Sequence, residues 1–294
     1  MLDTLSEDQR ILLLGSEGLV GSAFQRQLVN QPSALRTVSR ANSYYTFDVY
    51  KHPKQLDRIL STYQPTHLIN CIANTNLADC ESHPSRAFYL NSDMIMQLVD
   101  YAIPAGAYLL HVSTDAVYDS TADSPHIESS ILAPSNTYGV SKLHGEAIAL
   151  SYENSLILRT NITGFRKSGK SPTFLQWLLA SLSSNQTVSL YTDYTTSTLD
   201  VNTFVDVAIQ LLISETVGIF NIGSTSASSK YEFGLELARQ LGINPSLIVP
   251  SSGASQFPSR KGNLALCSDN IQSLISLELP DLRQTISALI NTPT

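Results

Sequence analysis

Near the N-terminus an apolar run passes straight into a glycine-spaced turn, Ile11-Leu-Leu-Leu-Gly15-Ser-Glu-Gly18-Leu-Val-Gly21. Few local patterns restrict a fold as tightly. Arg10–Leu14 reads as a buried strand and Leu19–Val29 as a helix. Residues without Cβ at the junction permit a tight turn and let a phosphate approach the backbone. The N–H groups at the helix start then face the anion. Gly15, Ser16, Glu17, Gly18, Leu19, Val20 and Gly21 are therefore the candidate pyrophosphate cradle. The G-x-x-G-x-x-G spacing differs from the commoner G-x-G-x-x-G, and a glycine turn with no ligand is the plain alternative.

The pattern continues as an alternation. Strand-like runs at Leu35–Val38, His67–Cys71, Tyr108–Ser113 and Ser155–Arg159 are separated by helix-like Pro53–Tyr63, Pro84–Ala105 and Thr137–Tyr152. Nearly continuous apolar strands between helices predict an α/β protein, a doubly wound parallel sheet covered on both faces. After Gly164 the pattern loosens into a basic stretch, Phe165–Pro172, then helix-like Thr173–Ser183 and Val201–Ser214. Strand-like Gly218–Ile222, helix-like Lys230–Leu241, a loop Pro250–Gly262 and amphipathic Leu279–Ile290 complete the chain. We expect a nucleotide-binding domain over residues 1–164, with 201–222 returning to it. A smaller C-terminal substrate-binding domain is expected from residues 165–200 and 223–294.

The end of the second strand reads Ser39-Arg40. An acid there would accept the ribose 2′-hydroxyl of NAD; a hydroxyl and a guanidinium suit a 2′-phosphate, so NADP is the expected cofactor and NAD the alternative. Asp48 and Val49 follow a short apolar stretch and either border the adenine or close a simple turn.

Charge narrows the partners. The net charge is −7, with 18 basic and 25 acidic residues. A general nucleic-acid or anionic-membrane binder needs the opposite sign. Residues 1–153 hold 16 acids and 9 bases, whereas 154–294 hold 9 of each. Asn154–Thr192 has no acid yet carries Arg159, Arg166, Lys167 and Lys170, and acid-free Leu237–Ser268 carries Arg260 and Lys261. These stretches suggest a local site for an anionic substrate. Cys71, Cys80 and Cys267 form neither an even disulfide framework nor metal-ligand spacing, so no metal is expected. The first apolar run is too short for a signal or membrane segment, and a cytoplasmic protein is expected.

A second informative block is Tyr138-Gly-Val-Ser-Lys142. Tyr and Lys at i and i+4 share a helix face. A nearby ammonium favours the phenolate and is expected to lower the Tyr138 pKa, making the side chain a proton exchanger. Alone, Tyr-x-x-x-Lys occurs by chance in many helices. Upstream, however, an apolar strand ends in Ser113-Thr114-Asp115, placing hydroxyls at the carboxyl edge of the sheet, where ligands sit in open α/β folds.

Together the glycine turn, the Ser-Thr-Asp strand end and the Tyr-Gly-x-x-Lys helix resemble the extended short-chain dehydrogenase/reductases. The closest resemblance is to the dTDP-4-dehydrorhamnose reductase-like branch, which acts on nucleotide-linked sugars. Asn70-Cys-Ile-Ala73-Asn-Thr75-Asn-Leu-Ala-Asp79-Cys-Glu81, Asn91, Glu128, Pro134 and Leu158-Arg159-Thr160 agree with it. Pro258-Ser-Arg260 and Asn263-Leu-Ala-Leu266 agree more loosely. The resemblance implies a catalytic set of Thr114, Tyr138 and Lys142, with Lys142 also on the nicotinamide ribose. Cys71, Ile72 and Ala73 would line the nicotinamide. Asn74, Thr75, Ser113, Thr114, Asp115, Asn161 and Thr198 would face the substrate. Arg166, Lys167 or Lys170, together with Arg260, would hold a substrate diphosphate. In this class Pro84–Ala105 and Thr137–Tyr152 often pair in homodimers. Phe174, Trp177 and His111 read as core, and His144 as structural or surface.

The resemblance also bears on the reaction. Related dehydratases carry Glu, and related reductase–epimerases carry Cys, where this chain has Ala116. What remains is hydride transfer to the keto group of a nucleotide-linked 4-keto-6-deoxysugar, with Tyr138 as the acid. Asn161-Ile162 replaces the Ser-Trp usual in the reductase branch, which bears on the sugar. A nucleotide-sugar epimerase with retained cofactor is the alternative. A non-catalytic regulatory subunit, like that of methionine adenosyltransferase, is another.

Overall fold

The computed structural model describes residues 5–29, 33–121, 125–167, 170–253 and 262–292. Its first half alternates strands and helices: β1 (Arg10–Leu14), α1 (Leu19–Leu28), β2 (Ala34–Ser39), β3 (Tyr45–Thr46), α2 (Pro53–Tyr63) and β4 (His67–Asn70). There follow α3 (Leu77–Ser82), α4 (Pro84–Phe88), α5 (Met94–Ala105), β5 (Tyr108–Val112), α6 (Thr137–Leu150) and β6 (Ser155–Thr160). One seven-stranded sheet has the order Gly218–Ile222, β6, β5, β4, β1, β2, β3. The pairs β1–β2, β1–β4, β4–β5, β5–β6 and β2–β3 are all parallel. The Rossmann-like α/β class expected from the alternation is the one observed, and Gly218–Ile222 does return to the main sheet.

Local chemistry explains the element ends. Pro53 opens α2, and Gln64 closes it in the left-handed region at φ 51°. Asn136 caps α6 by accepting the Gly139 N–H at 2.8 Å. Leu12, Leu14, Val38, Leu68, Leu109 and Ile157 of the strands pack with Leu56, Leu60 and Leu98 of the helices. Strand order reverses at β1, whose neighbours are β2 and β4. The connections leaving β1 and β4 diverge there, opening a crevice at the carboxyl edge beside the glycine turn.

The helix expected over Pro84–Ala105 runs without interruption, as α4, a wide π-type turn at Tyr89–Asp93, and α5. Close packing accounts for the wide turn. The Asn91 carbonyl oxygen lies only 2.2 Å from where a Cβ on Gly145 of α6 would sit. The buried Asn91 side chain accepts the Asn74 N–H at 2.6 Å and donates to Ser141 at 2.9 Å. The extra residue in the turn aims Asn91 at both.

Contacts divide the chain into two compact units. The first comprises Met1–Val117, Asn136–Arg159 and Val205–Phe220; the second comprises Tyr118–Ser135, Thr160–Phe204 and Asn221–Thr294. The second unit thus takes up the segment after β5 that the linear reading assigned to the first. Its core joins Leu175, Leu178, Leu190, Phe233, Leu237, Ile248 and Ile286. Its helices Phe174–Ser183, Lys230–Leu241 and Leu282–Asn291 each begin in a complete capping box, formed by Thr173/Gln176, Ser229/Glu232 and Asp281/Gln284.

Candidate active site

The glycine turn is built by close backbone approach. Gly15 sits at φ +82°, and a Cβ there would meet the Cys71 carbonyl group at 2.9 Å. A Cβ on Gly21 would lie 2.2 Å from the Gly15 carbonyl oxygen, so only glycine lets α1 start this near the turn. Gly18 is exposed, with only Gly15 O at 3.2 Å from its Cβ position. The first N–H groups of α1 have no intrahelical acceptor. Beside them Ser16 Oγ is buried with no hydrogen-bond partner. An orphaned hydroxyl, a glycine-lined cradle and a helix N-terminus suit a dinucleotide pyrophosphate. Glu17, Leu19 and Val20 are half-buried around it.

At the end of β2, the Ser39 hydroxyl donates to the Ala41 carbonyl, and the Ser39 N–H donates to Ser43 Oγ at 3.0 Å. Its oxygen is spent on folding the turn that presents exposed Arg40. Asp48 accepts the Tyr50 N–H at 3.0 Å, closing a turn, and Val49 packs into the core with its carbonyl held by the Tyr89 hydroxyl at 3.2 Å. Cys71, Ile72 and Ala73 follow β4 directly. Burial pushes the Cys71 thiol well up, which keeps it protonated and unreactive.

The Thr114 hydroxyl, just past β5, neighbours the Tyr138 phenol and works to lower its pKa. It also donates to Asp115 Oδ1 at 3.1 Å and accepts the Ala116 N–H at 3.2 Å. The Tyr138 pKa is raised, not lowered as the Tyr–Lys spacing suggests. Burial dominates, the Asp115 carboxylate and Cys80 add to it, and only Thr114 opposes. The spacing does place Lys142 one turn on, but its Nζ reaches β5. It donates to the Val112 carbonyl at 2.7 Å and lies 3.0 Å from His111 Nε2. Burial lowers the Lys142 pKa to about 8, against the pull of Glu146 and Cys71.

Ser113 does not point where a substrate-facing hydroxyl would. It donates to Glu146, whose carboxylate is clasped by Arg159 through Nη2 at 2.7 Å and Nε at 3.0 and 3.1 Å. Successive residues leaving a strand face opposite ways, so Thr114 and Ser113 cannot both serve the site. Asp115 is buried beside the phenol. The Asn74 side chain is committed to Asp79 at 2.6 Å, while Thr75 is exposed next to it. His144 bonds Ser92 at 2.7 Å and is structural. Arg159 stands in the Leu158-Arg159-Thr160 segment without an assigned partner, and Glu146 carries no motif; an acid and a base placed among apolar neighbours were the available signal.

In the second unit, Thr198 donates to Asn161 Oδ1 at 2.9 Å and lies 2.9 Å from Thr196 Oγ1. Lys230 joins them, donating to Thr198 at 3.3 Å with its Nζ 5.1 Å from the Phe174 ring centroid. Lys230 was not anticipated; its place at the first position of a capped helix was the only hint. The Arg166 N–H bonds Gln176 Oε1 at 3.2 Å, and Lys170 is exposed. Arg260 and Lys261 lie outside the described residues. Trp177 is 43% exposed, contrary to a core role, because its helix buries Leu175, Leu178 and Leu182 instead.

Comparison with known proteins finds similar proteins over nearly the whole chain. The "Probable low-salt glycan biosynthesis reductase Agl14" of Haloferax volcanii is 29% identical, covering 94% of this chain and 95% of that protein. The dTDP-4-dehydrorhamnose reductase of Salmonella typhimurium is 27% identical over 97% of this chain and 99% of its own length. Among solved structures, the dTDP-4-dehydrorhamnose reductase of Bacillus anthracis in complex with NADP superposes with a TM-score of 0.84 at 19% identity. That match covers 96% of this chain and 99% of the other. The model of the RmlD substrate binding domain matches residues 9–294, and the chain belongs to that family.

Proposed function

We propose that this protein is an NADPH-dependent reductase of the keto group of a nucleotide-linked 4-keto-6-deoxysugar. The observation that carries the reading is the neighbouring of the Thr114 hydroxyl and the Tyr138 phenol at the carboxyl edge of the sheet, with Lys142 one helical turn on. When bound, NADPH supplies the hydride. The chain's part is to bind, orient and protonate. The glycine turn, the α1 amides and Ser16 hold the pyrophosphate, and Arg40 is the candidate contact for a 2′-phosphate. Thr114 fixes the phenol beside the substrate oxygen. Tyr138, with its raised pKa, keeps its proton until an alkoxide develops and then transfers it from Oη to that oxygen. Ala116 offers no second acid or base, which suits simple reduction. Asn161, Thr196, Thr198 and Lys230 are the candidate polar contacts for the nucleotide-sugar.

Incubating the protein with NADPH and a dTDP- or GDP-4-keto-6-deoxysugar, and following loss of reduced-cofactor absorbance, tests the reading. Tyr138→Phe is expected to lower turnover by roughly 10²–10⁴-fold while cofactor binding persists. Unchanged turnover overturns the assignment, and product formed without added NADPH indicates the epimerase instead. Three free cysteines fit a cytoplasmic setting, and no helix among the described residues is long and apolar enough to cross a membrane. Exposed Met96 and Ile103 of α5 and Val140 and Leu150 of α6 support a homodimer, which light scattering reads out.

A further inference from the structure

Under the catalytic helix runs a buried polar chain that the Thr114–Tyr138 contact does not use. It begins at Asn70, the last residue of β4, which is fully buried. Asn70 Oδ1 accepts the Ile72 N–H at 3.1 Å. An amide oxygen only accepts and an amide nitrogen only donates, so this bond sets the orientation of the side chain. The Asn70 Nδ2 group therefore faces His111 Nδ1, 3.1 Å away, and donates to it. His111 is fully buried, and burial together with adjoining Lys142 holds its pKa well below the ordinary value, so the ring is neutral. A neutral imidazole that accepts at Nδ1 carries its proton on Nε2.

That Nε2–H points at Lys142 Nζ, 3.0 Å away. An ammonium has three donors and no acceptor. The contact forms only when Nζ is a neutral amine, accepting from His111 while donating to Val112 O. Two donors facing each other in a buried site would be repulsive.

We propose that, above neutral pH, His111 is a positioning residue that docks Lys142 as a neutral amine in the ligand-free protein, and that dinucleotide binding there draws a proton onto Lys142 and frees it from His111. The inference rests on the cofactor reading of the glycine turn. The proton comes from solvent: one N–H bond forms on Nζ and none breaks in the protein. The groups facing Lys142 are His111 on β5, the Cys71 thiol after β4 and Glu146 on its own helix, with Tyr138 one turn earlier on that helix. Cys71 and Tyr138 have raised pKa values and stay neutral. The Glu146 charge is shared with Arg159 and Ser113. The added negative charge of a bound diphosphate tips the balance to the ammonium. Released from Nε2, Lys142 becomes available to the phenol and to a ribose hydroxyl.

Calorimetric titration with NADPH, whose nicotinamide ring is uncharged, in two buffers of different protonation enthalpy reads the proton count. The wild-type protein is expected to take up about one proton at about pH 9, where a lysine with this lowered pKa is neutral, and much less at about pH 7. Affinity should then weaken by up to tenfold per pH unit near pH 9. Asn70→Asp retains an acceptor for Ile72 but draws the imidazole proton to Nδ1. Nε2 then accepts from an ammonium, and uptake at about pH 9 should fall to less than half. The ¹³Cε resonance of Lys142 in labelled, ligand-free wild type gives a readout that needs no variant. It should report the amine at about pH 9 and shift to the ammonium on NADPH addition. Absence of buffer-dependent heat at that pH, an ammonium already present without ligand, or equal uptake in Asn70→Asp each overturns the proposal. Absence of any binding heat would instead sink the cofactor reading, and the ligand-free resonance would still decide the docking.

Discussion

Arg159→Met probes the brace beneath the catalytic helix. Arg159 and Glu146 are each 1% exposed, and the guanidinium makes three contacts to the carboxylate, at 2.7, 3.0 and 3.1 Å. Removing the cation strands a buried carboxylate with the Ser113 hydroxyl as its remaining described donor. Breaking such a pair from one side costs about 3–5 kcal/mol, because the orphaned charge keeps its desolvation penalty. Glu146→Leu should cost a similar amount. The double variant removes both charges and leaves chiefly Ser113 without an acceptor, a loss of about 1–3 kcal/mol. The two single losses would therefore far exceed the double, a coupling of several kcal/mol. Urea unfolding of the four proteins measures this, and each kcal/mol should appear as roughly 2–4 °C in Tm for a unit of this size. Single variants that lose less than ~1 kcal/mol, or losses that simply add, would refute the reasoning.

Two further outcomes follow from the same geometry. Gly21→Ala forces a Cβ to within 2.2 Å of the Gly15 carbonyl oxygen, so it should cost about 1–3 kcal/mol and strongly weaken NADP⁺ binding. An unchanged dissociation constant would show that the turn is not the cradle. For pH dependence, Lys142 binds its proton with a pKa of about 8 when folded against the ordinary lysine value of 10.5. Between those values the unfolded chain holds more protons, so ligand-free stability gains up to ~1.4 kcal/mol per pH unit as pH rises through the window. Lys142→Met should remove that gain, and urea midpoints of both proteins across this range would expose equal slopes if the idea is wrong.

Periodicity and turn chemistry made much of the first unit readable. Apolar runs at Ile11–Leu14 and Leu109–Leu110 could only be buried strands, and the Gly15–Gly21 spacing allowed only a tight strand-to-helix junction. The Tyr138–Lys142 spacing placed both on one helix face. The helix over Pro84–Ala105 was readable, but its wide turn at Tyr89–Asp93 was not, because that depends on how near Gly145 comes to Asn91. Nor could the linear order show that Tyr118–Ser135 belongs with the second unit.

The sequence by itself determined which residues form strands and helices, and which local sets, such as Gly15–Gly21 and Thr114 with Tyr138 and Lys142, suit cofactor and proton transfer. These are properties of short spacings, governed by backbone geometry within a few residues. Only the tertiary structure decided where the polar side chains point and how they ionise. Ser113 turns to Glu146, Asn70 sets the His111 tautomer, and Lys142 rests on β5 instead of lowering the Tyr138 pKa. Parallel strands far apart in sequence bring those groups together, and burial, a property of the whole packed unit, sets the cost of each charge.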